Sequence, residues 1–497
     1  MLFNSWSFLL FFASVATFYF LIPHYLRWVL LLISSCLFYM AFIPIYILIL
    51  FVPILVDYVA ARKLENNSGL RRKTIMLFAV FSTCSVLFLF KYYDFFAWNV
   101  NEAAMLFHSD FTISALHIIL PIGLSFHTFQ SLSYVIEVYR GKQKAEKHLG
   151  IYAVYVMFFP QLVAGPIERP QNLLHQFKEK HNFSYDDVAT GLRFFLWGLF
   201  QKVVIADTLR KFVSPVYASP DSYSGEVLIV ATFFFSFQVF CDFSGYSLMA
   251  RGIARVFGFR LMLNFDRPYL ASSLTDFWRR WHISLSSWLR DYVFNPIAMG
   301  LRNLGVLGVV LSFLVTFFIS GLWHGAHWHF VIWGLLHGSV LSLEIIFSKQ
   351  IKKARKAIPN FLYGMVMIPI TFSFVTFTYI FFRAESFPDS LLIADKISSC
   401  LTISKLKHFI DGGIESPVLK FLESAPLAGI NRLEFQGGLC LIAFLVVVQC
   451  IQSYVNVEAF LNRVRWWVRW PIYQIGVLSV IFLGAWSEQN NFIYFQF

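Results

Sequence analysis

The chain has 497 residues, of which 58% are apolar and 14% charged, where ordinary soluble domains are roughly 45–50% apolar and about 25% charged. This balance excludes a soluble multidomain enzyme as a starting point, because a membrane-spanning helix uses about 20 apolar residues and the chain carries enough for many of them. The net charge of +12 sits in short clusters between apolar runs (Arg62 to Lys73, Arg140 to Lys147, Lys349 to Lys356) as the positive-inside rule places cytoplasmic loops. A nucleic-acid binder would instead need a continuous basic face on a soluble fold.

In chain order, residues 1–22 lack a basic leader and a small-residue cleavage site, so they read as a retained first span rather than a signal peptide. The run at 28–60 is too long for one straight span and carries Pro44 and Pro53, which leaves a kinked helix or two shorter segments, and with them the side of the N-terminus, open. Runs at 75–98 and 113–136 lie between the basic loops 62–73 and 140–147, so both loops can share the cytoplasmic side. Further spans are predicted at 150–164, 189–213, 226–248, 304–322, 328–347, 360–382, 437–455 and 471–487. Residues 165–187 and 388–432 read as polar surface connections. The six cysteines are scattered, without a CxxC pair, and read as small buried hydrophobes. No fixed-period repeat is visible, so 1–497 reads as one integral-membrane domain.

The stretch 258–303 is neither loop nor span. Within it Phe277, Trp278, Trp281, Leu285, Trp288, Leu289 and Tyr292 recur at three- and four-residue steps, which predicts one amphipathic interfacial or re-entrant helix capped by Ser273 and stopped by Pro296.

Ionisable residues inside apolar segments are expensive and mark function by default. Asp242 in FQVFCDFSGYS has Ser244, Gly245 and Tyr246 beside it, and reads as either a polar tunnel wall or a structural hydrogen-bonding group. In TDFWRRWHISLSSWLRD, His282 lies between Trp281 and Ile283. Its neighbours Arg279 and Arg280 either snorkel from an interfacial helix or hold the phosphates of a donor. GLWHGAHWHFVIWGLLHG holds His324, His327, His329 and His337. Gly321 and Gly325 allow close approach at Trp323-His324, where an imidazole can act as general base or simply bond a carbonyl. No acid or cysteine stands nearby in sequence to complete a zinc shell, so no metal site is expected. GxSxG, Gly-rich phosphate loops and HExxH are absent.

FFPQLVAGPIERPQNLL, DFSGYSLMARGIARVFGF, FWRRWHISLSSWLRDYVFNP, GLWHGAHWHFVIWGLLHG and the terminal FIYFQF, in this order, closely resemble the membrane-bound O-acyltransferase family, and most of all its alginate and peptidoglycan O-acetyltransferase branch. The resemblance implies an all-α polytopic bundle of roughly eleven spans, with re-entrant or interfacial helices, around a tunnel pinched at a catalytic histidine. That residue falls on His324 and the second motif histidine on His282. Asp242, Tyr246, Arg279, Arg280 and Trp323 are the candidate substrate and donor contacts, and Tyr246, Trp323 and His282 the candidate oxyanion donors.

The same resemblance implies a multi-pass protein of the cell inner membrane with no bound cofactor. Its donor is acetyl-CoA or another acyl thioester on the cytoplasmic side. Its partners are membrane lipid and an exported polysaccharide or a periplasmic SGNH-type acetyltransferase, and no nucleic acid. A D-alanyl transferase using a carrier-protein thioester is the sister possibility, against which the longer segment 388–497 argues. From a different class stands a glycan or lipid-precursor transporter using His324, His282 and Asp242 as a proton relay.

Overall fold

The computed structural model describes residues 1–163, 165–400, 432–486 and 492–493. Among these residues the secondary structure is helical, with no strand. Nine helices are long and apolar enough to cross a membrane, and two shorter apolar ones, α1 (Trp6–Leu21) and α2 (His24–Met40), bring the set to eleven, so the expected all-α polytopic class holds.

The run at 28–60 is two helices: α2 ends before a turn that carries Pro44, and α3 (Ile47–Glu65) tolerates Pro53 inside it. α4 (Gly69–Leu87) continues through a π-turn at Phe88–Tyr92 into α5 (Tyr93–Leu106) as one 38-residue span.

Several expectations are corrected. The span predicted at 113–136 starts only at α6 (Leu124–Tyr139), because Pro121 and the left-handed Gly123 (φ +77°) force a turn there; a Cβ on Gly123 would lie 2.5 Å from the Leu162 carbonyl. The apolar run at 150–164 is α7 (Leu149–Met157), nine residues long, or about 14 Å at 1.5 Å per residue, half of what a bilayer core needs. The connection at 165–187 is not a surface loop, since Ile167, Glu168, Leu173, Leu174 and Phe177 are buried. The single amphipathic helix expected around His282 is two helices, α11 (Leu274–Arg280) and α12 (Ile283–Leu289). Ser273 caps the first as anticipated, while Pro296 sits in the first turn of another short helix, Asn295–Gly300, and does not stop one. Of the cysteines only Cys241 is buried; Cys84, Cys440 and Cys450 are exposed. Within 388–432, Phe387–Cys400 is helical, and 401–431 lies outside the described residues.

The two N-terminal basic loops do share a face: the Ala145 N–H donates to Glu65 at 2.7 Å and the Tyr58 hydroxyl to the Lys147 carbonyl at 2.6 Å. Lys178 pairs with Glu146 on the same face at 2.7 Å, and Arg27 at the start of α2 bonds the His181 carbonyl. The α1–α2 turn therefore lies on the basic face, and α1 starts from the opposite one.

Glycine seams draw the central helices together. α8 (Tyr185–Leu199) carries Gly191 and Gly198, and α10 (Gly225–Val256) carries Gly245 and Gly252. A Cβ on any of the four would lie 2.5 to 2.6 Å from a carbonyl of the facing glycine. Small residues at such crossings let backbones pack directly where lipid offers no hydrophobic drive. After α8 a π-turn at Phe200–Ala206 leads into α9 (Asp207–Ala218). The same device joins α13 (Val306–His324) to α14 (Trp328–Ile346): a Cβ on Gly334 would be 2.1 Å from the Phe317 carbonyl, and one on Gly321 2.4 Å from that of Phe330. Gly334→Val is therefore expected to lower the unfolding temperature of the detergent-solubilised protein sharply, in line with overpacking costs of about 1–3 kcal/mol or more. An unfolding curve superimposable on that of the wild type would show that the hairpin yields.

Glu168 shows what burial of the 165–177 segment implies. It accepts hydrogen bonds from the Met262 N–H and Asn172, yet burial pushes its carboxyl up to about 7. A native group that holds its proton more tightly than the unfolded chain stabilises at acid pH, and loses that contribution as pH rises through its native value. Unfolding temperatures measured from pH 5 to 8 should thus fall in the wild type and fall less in Glu168→Gln.

Candidate active site

α13 ends on His324, and Gly325 leaves the helix in an extended conformation (φ −164°, ψ 145°). The imidazole, 2% exposed, sits edge-on to Trp323 (centroids 4.9 Å), Trp333 (4.8 Å) and Phe382 (5.1 Å), the last supplied by α15 (Asn360–Arg383). His282 packs against Phe243 at 4.6 Å and Phe126 at 6.1 Å, and its ring centroid lies 5.9 Å from that of Trp323. Two histidines far apart in sequence thus both border the Trp323 indole, buried within an aromatic surround.

His282 occupies the break between α11 and α12 in a left-handed conformation (φ 43°, ψ 54°), which costs a non-glycine residue about 1–2 kcal/mol. Asn264 holds it there. The Asn264 backbone carbonyl accepts from the Ile283 N–H at 2.9 Å, and its Oδ1 accepts from the Ser284 N–H at 3.2 Å and the Ser284 hydroxyl at 3.0 Å. A backbone N–H can only donate, so the atom it meets is the amide oxygen. His282 Nδ1, 3.2 Å from the same oxygen, therefore carries the ring proton, and Nε2 is the basic nitrogen. The Asn264 amide donates onward to Ser247 at 3.1 Å. Asn264→Leu removes the tautomer lock and is expected to lower turnover about 10- to 100-fold with folding retained; wild-type turnover would remove this role from Asn264.

The remaining histidines brace α14. Trp278 donates to His337 Nδ1 at 3.3 Å, so Nε2 holds the proton and donates to Thr378 at 2.9 Å. His329 Nδ1 bonds the Phe381 carbonyl at 2.9 Å, and its ring stacks with that of His327 at 5.4 Å. His329 and His337 thus tie α14 to α15, and His327 rests on His329 at the start of α14. Among the described residues no group of three metal-binding side chains occurs.

Of the other sequence candidates, Trp323 is central. Tyr246 is buried against Phe492 at 4.5 Å and Phe3 at 5.6 Å. Asp242 pairs with Lys202 at 2.6 Å, which also meets Asp207 at 2.8 Å, and its other oxygen accepts the Ile493 N–H at 2.8 Å. The tail so anchored places Phe492 on Phe243 at 5.5 Å, and Phe243 in turn on His282. Asp242 thus reaches the histidines through packing. Arg280 pairs with Asp276 at 3.1 Å and Arg279 is exposed.

Cations gather instead around an open cleft of about 650 Å³ on the basic face, lined by Arg140, Lys142, Arg169, Glu137, Asp291 and Tyr292. The Arg140 and Arg169 guanidinium groups lie 4.9 and 4.4 Å from the Tyr292 ring centroid, and the Tyr292 hydroxyl donates to Glu137 at 2.9 Å. Two more functional candidates escaped the sequence reading. Asn264 carries no signal of its own, whereas Lys91, a lone cation within the apolar run 75–98, did. The Lys91 Nζ donates to the backbone carbonyls of Trp323 (2.5 Å) and His324 (3.3 Å).

Comparison with known proteins gives the arrangement its context. The profile of the membrane-bound O-acyltransferase family matches residues 147–382. The chain is 34% identical to the peptidoglycan O-acetyltransferase of Helicobacter pylori, over 94% of this chain and 91% of that protein. It is 37% identical to a "probable alginate O-acetylase" of Pseudomonas aeruginosa, over 78% and 72% of the two chains, and 27% identical to the teichoic acid D-alanyltransferase of Bacillus subtilis, over 54% and 69%.

Proposed function

Because the chain belongs to the membrane-bound O-acyltransferase family and is a multi-pass membrane acyltransferase, we propose that it moves an acetyl group from a cytoplasmic thioester, acetyl-CoA, to a hydroxyl of an exported glycan or of a periplasmic acetyl-carrying partner, in a cell inner membrane. The observation that carries this reading is His324, buried at a helix end in an aromatic wall, with His282 packed against the same Trp323 indole. By the positive-inside rule the basic face is cytoplasmic. Its cleft offers Arg140, Lys142 and Arg169, guanidinium and ammonium groups suited to the phosphates of coenzyme A.

In this mechanism the acceptor hydroxyl gives its proton to His324 as its oxygen attacks the thioester carbonyl. The C–S bond of the tetrahedral intermediate then breaks, and the thiolate leaves with the proton held by the imidazolium, so that ester and free thiol are the products. The Trp323 indole N–H, on the residue next to His324, is the donor available to the oxyanion, since the one ring proton of neutral His282 is committed to Asn264. Water excluded by Trp323, Trp333 and Phe382 cannot hydrolyse the donor.

The test uses purified protein in liposomes, given acetyl-labelled acetyl-CoA on the cation-rich side, with alginate oligosaccharide or a peptidoglycan fragment opposite. Label on the glycan, with stoichiometric release of thiol, supports the proposal. Glycan carried across the bilayer without label overturns it in favour of transport.

A further inference from the structure

Lys91 is a cation placed on the active-site helix by another span. It sits in the five-residue π-turn Phe88–Tyr92, and such turns inside helices often occur at functional sites because the extra residue rotates side chains away from the regular helical face. Its nearest acid in sequence, Asp94, is committed elsewhere: the Asp94 carboxylate accepts the Leu116 N–H at 2.8 Å and the His117 N–H at 3.0 Å. Among the described residues Lys91 forms no ion pair with a carboxylate, and what its ammonium meets is the Trp323 and His324 carbonyls, with the Trp323 ring centroid 5.9 Å away.

Those two carbonyls belong to the last turn of α13, where no following N–H completes the helical ladder. The chain leaves the helix immediately: Gly325 is extended, and its N–H returns only to the Gly321 carbonyl at 3.3 Å. Helix ends fray, and the negative end of the helix dipole favours a cation there. The helix end in question carries His324 and Trp323, the two residues around which the site is built.

We propose that Lys91 is a positioning residue for acyl transfer: its ammonium caps the C-terminal carbonyls of α13 and thereby fixes the backbone from which His324 and Trp323 are presented to the reacting atoms. The proposal rests on the reading of His324 as the general base. Lys91 itself acts through that backbone and needs no contact with substrate.

The experiment compares Lys91→Met, Lys91→Arg and His324→Ala in liposomes with acetyl-CoA and the acceptor that accepts label, with activity expressed per monodisperse folded protein. Lys91→Met is expected to lower kcat at least tenfold while the KM for acetyl-CoA stays within twofold, and Lys91→Arg to recover part of the loss because it keeps the charge. Lys91→Cys treated with 2-bromoethylamine, which restores an ammonium at nearly the native distance, should regain most of the turnover that the untreated variant lacks; identically treated wild type controls for the other cysteines.

Wild-type kcat per folded Lys91→Met molecule overturns the proposal, as does a rise in KM with kcat unchanged. Should Lys91→Met not fold, the aminoethylated Lys91→Cys decides: recovered folding with recovered kcat supports the proposal, and recovered folding without activity overturns it. An active His324→Ala would instead refute the reading on which the proposal rests, so the two failures are distinguishable.

Discussion

His324→Ala should lower acetyl transfer by about 10²- to 10⁴-fold, the range that general acid–base catalysis supplies, while the protein inserts, purifies and unfolds like the wild type. The effect is large because the aromatic wall of Trp323, Trp333 and Phe382 admits little water to stand in for the missing base. His324→Gln, which keeps a hydrogen-bonding group of similar reach but cannot take a proton, should be as inactive as the alanine variant. Turnover within tenfold of the wild type by either folded variant would exclude proton removal by His324.

Lys202→Met carries the largest expected effect on stability. The lysine lies in the π-turn between α8 and α9 and meets Asp242 at 2.6 Å and Asp207 at 2.8 Å, with all three side chains 2 to 4% exposed. Removing one partner of a buried ion pair leaves uncompensated charge and costs about 3–5 kcal/mol, and here two carboxylates are left facing each other. The expected result is a large drop in unfolding temperature in detergent, or no recoverable folded protein. Lys202→Met combined with Asp207→Asn and Asp242→Asn should recover much of the loss, because neutral amides remove the repulsion. If the single variant unfolds at the wild-type temperature, this cluster contributes nothing to the bundle. Since Asp242 also holds Ile493, and Phe492 rests on Phe243 beside His282, the destabilised protein should also turn over more slowly per folded molecule.

Much of this was legible in local patterns. His324 and His282 stood out because an imidazole in an apolar run has few tolerable explanations, and Gly321 announced a close approach that the Phe330 carbonyl makes. Asp242 was equally conspicuous, but its neighbours in sequence left a tunnel wall and a structural hydrogen-bonding group both open, because its partners Lys202 and Ile493 come from other segments. The helix around His282 misled because three- and four-residue spacing describes an apolar face whether or not the backbone continues through it. The break at His282 depends on Asn264, a residue in another part of the chain. The glycine pairs 191/198 and 245/252 lie seven residues apart in each helix, a spacing visible in the chain but meaningful only when the two helices face each other.

Composition and charge by themselves determined that the protein is a membrane bundle and which loops share a side, because the cost of placing polar groups in hydrocarbon acts on every residue whatever its neighbours. Motif order was enough to identify the family. Tertiary structure alone decided what each polar group does: that Asp242 is tied to Lys202, that Asn264 sets the tautomer of His282, and that Lys91 reaches the end of α13. The physical reason is that a hydrogen bond or an ion pair acts over about 3 Å between groups that the chain brings together from different helices, and spacing along one helix carries no information about what stands across from it.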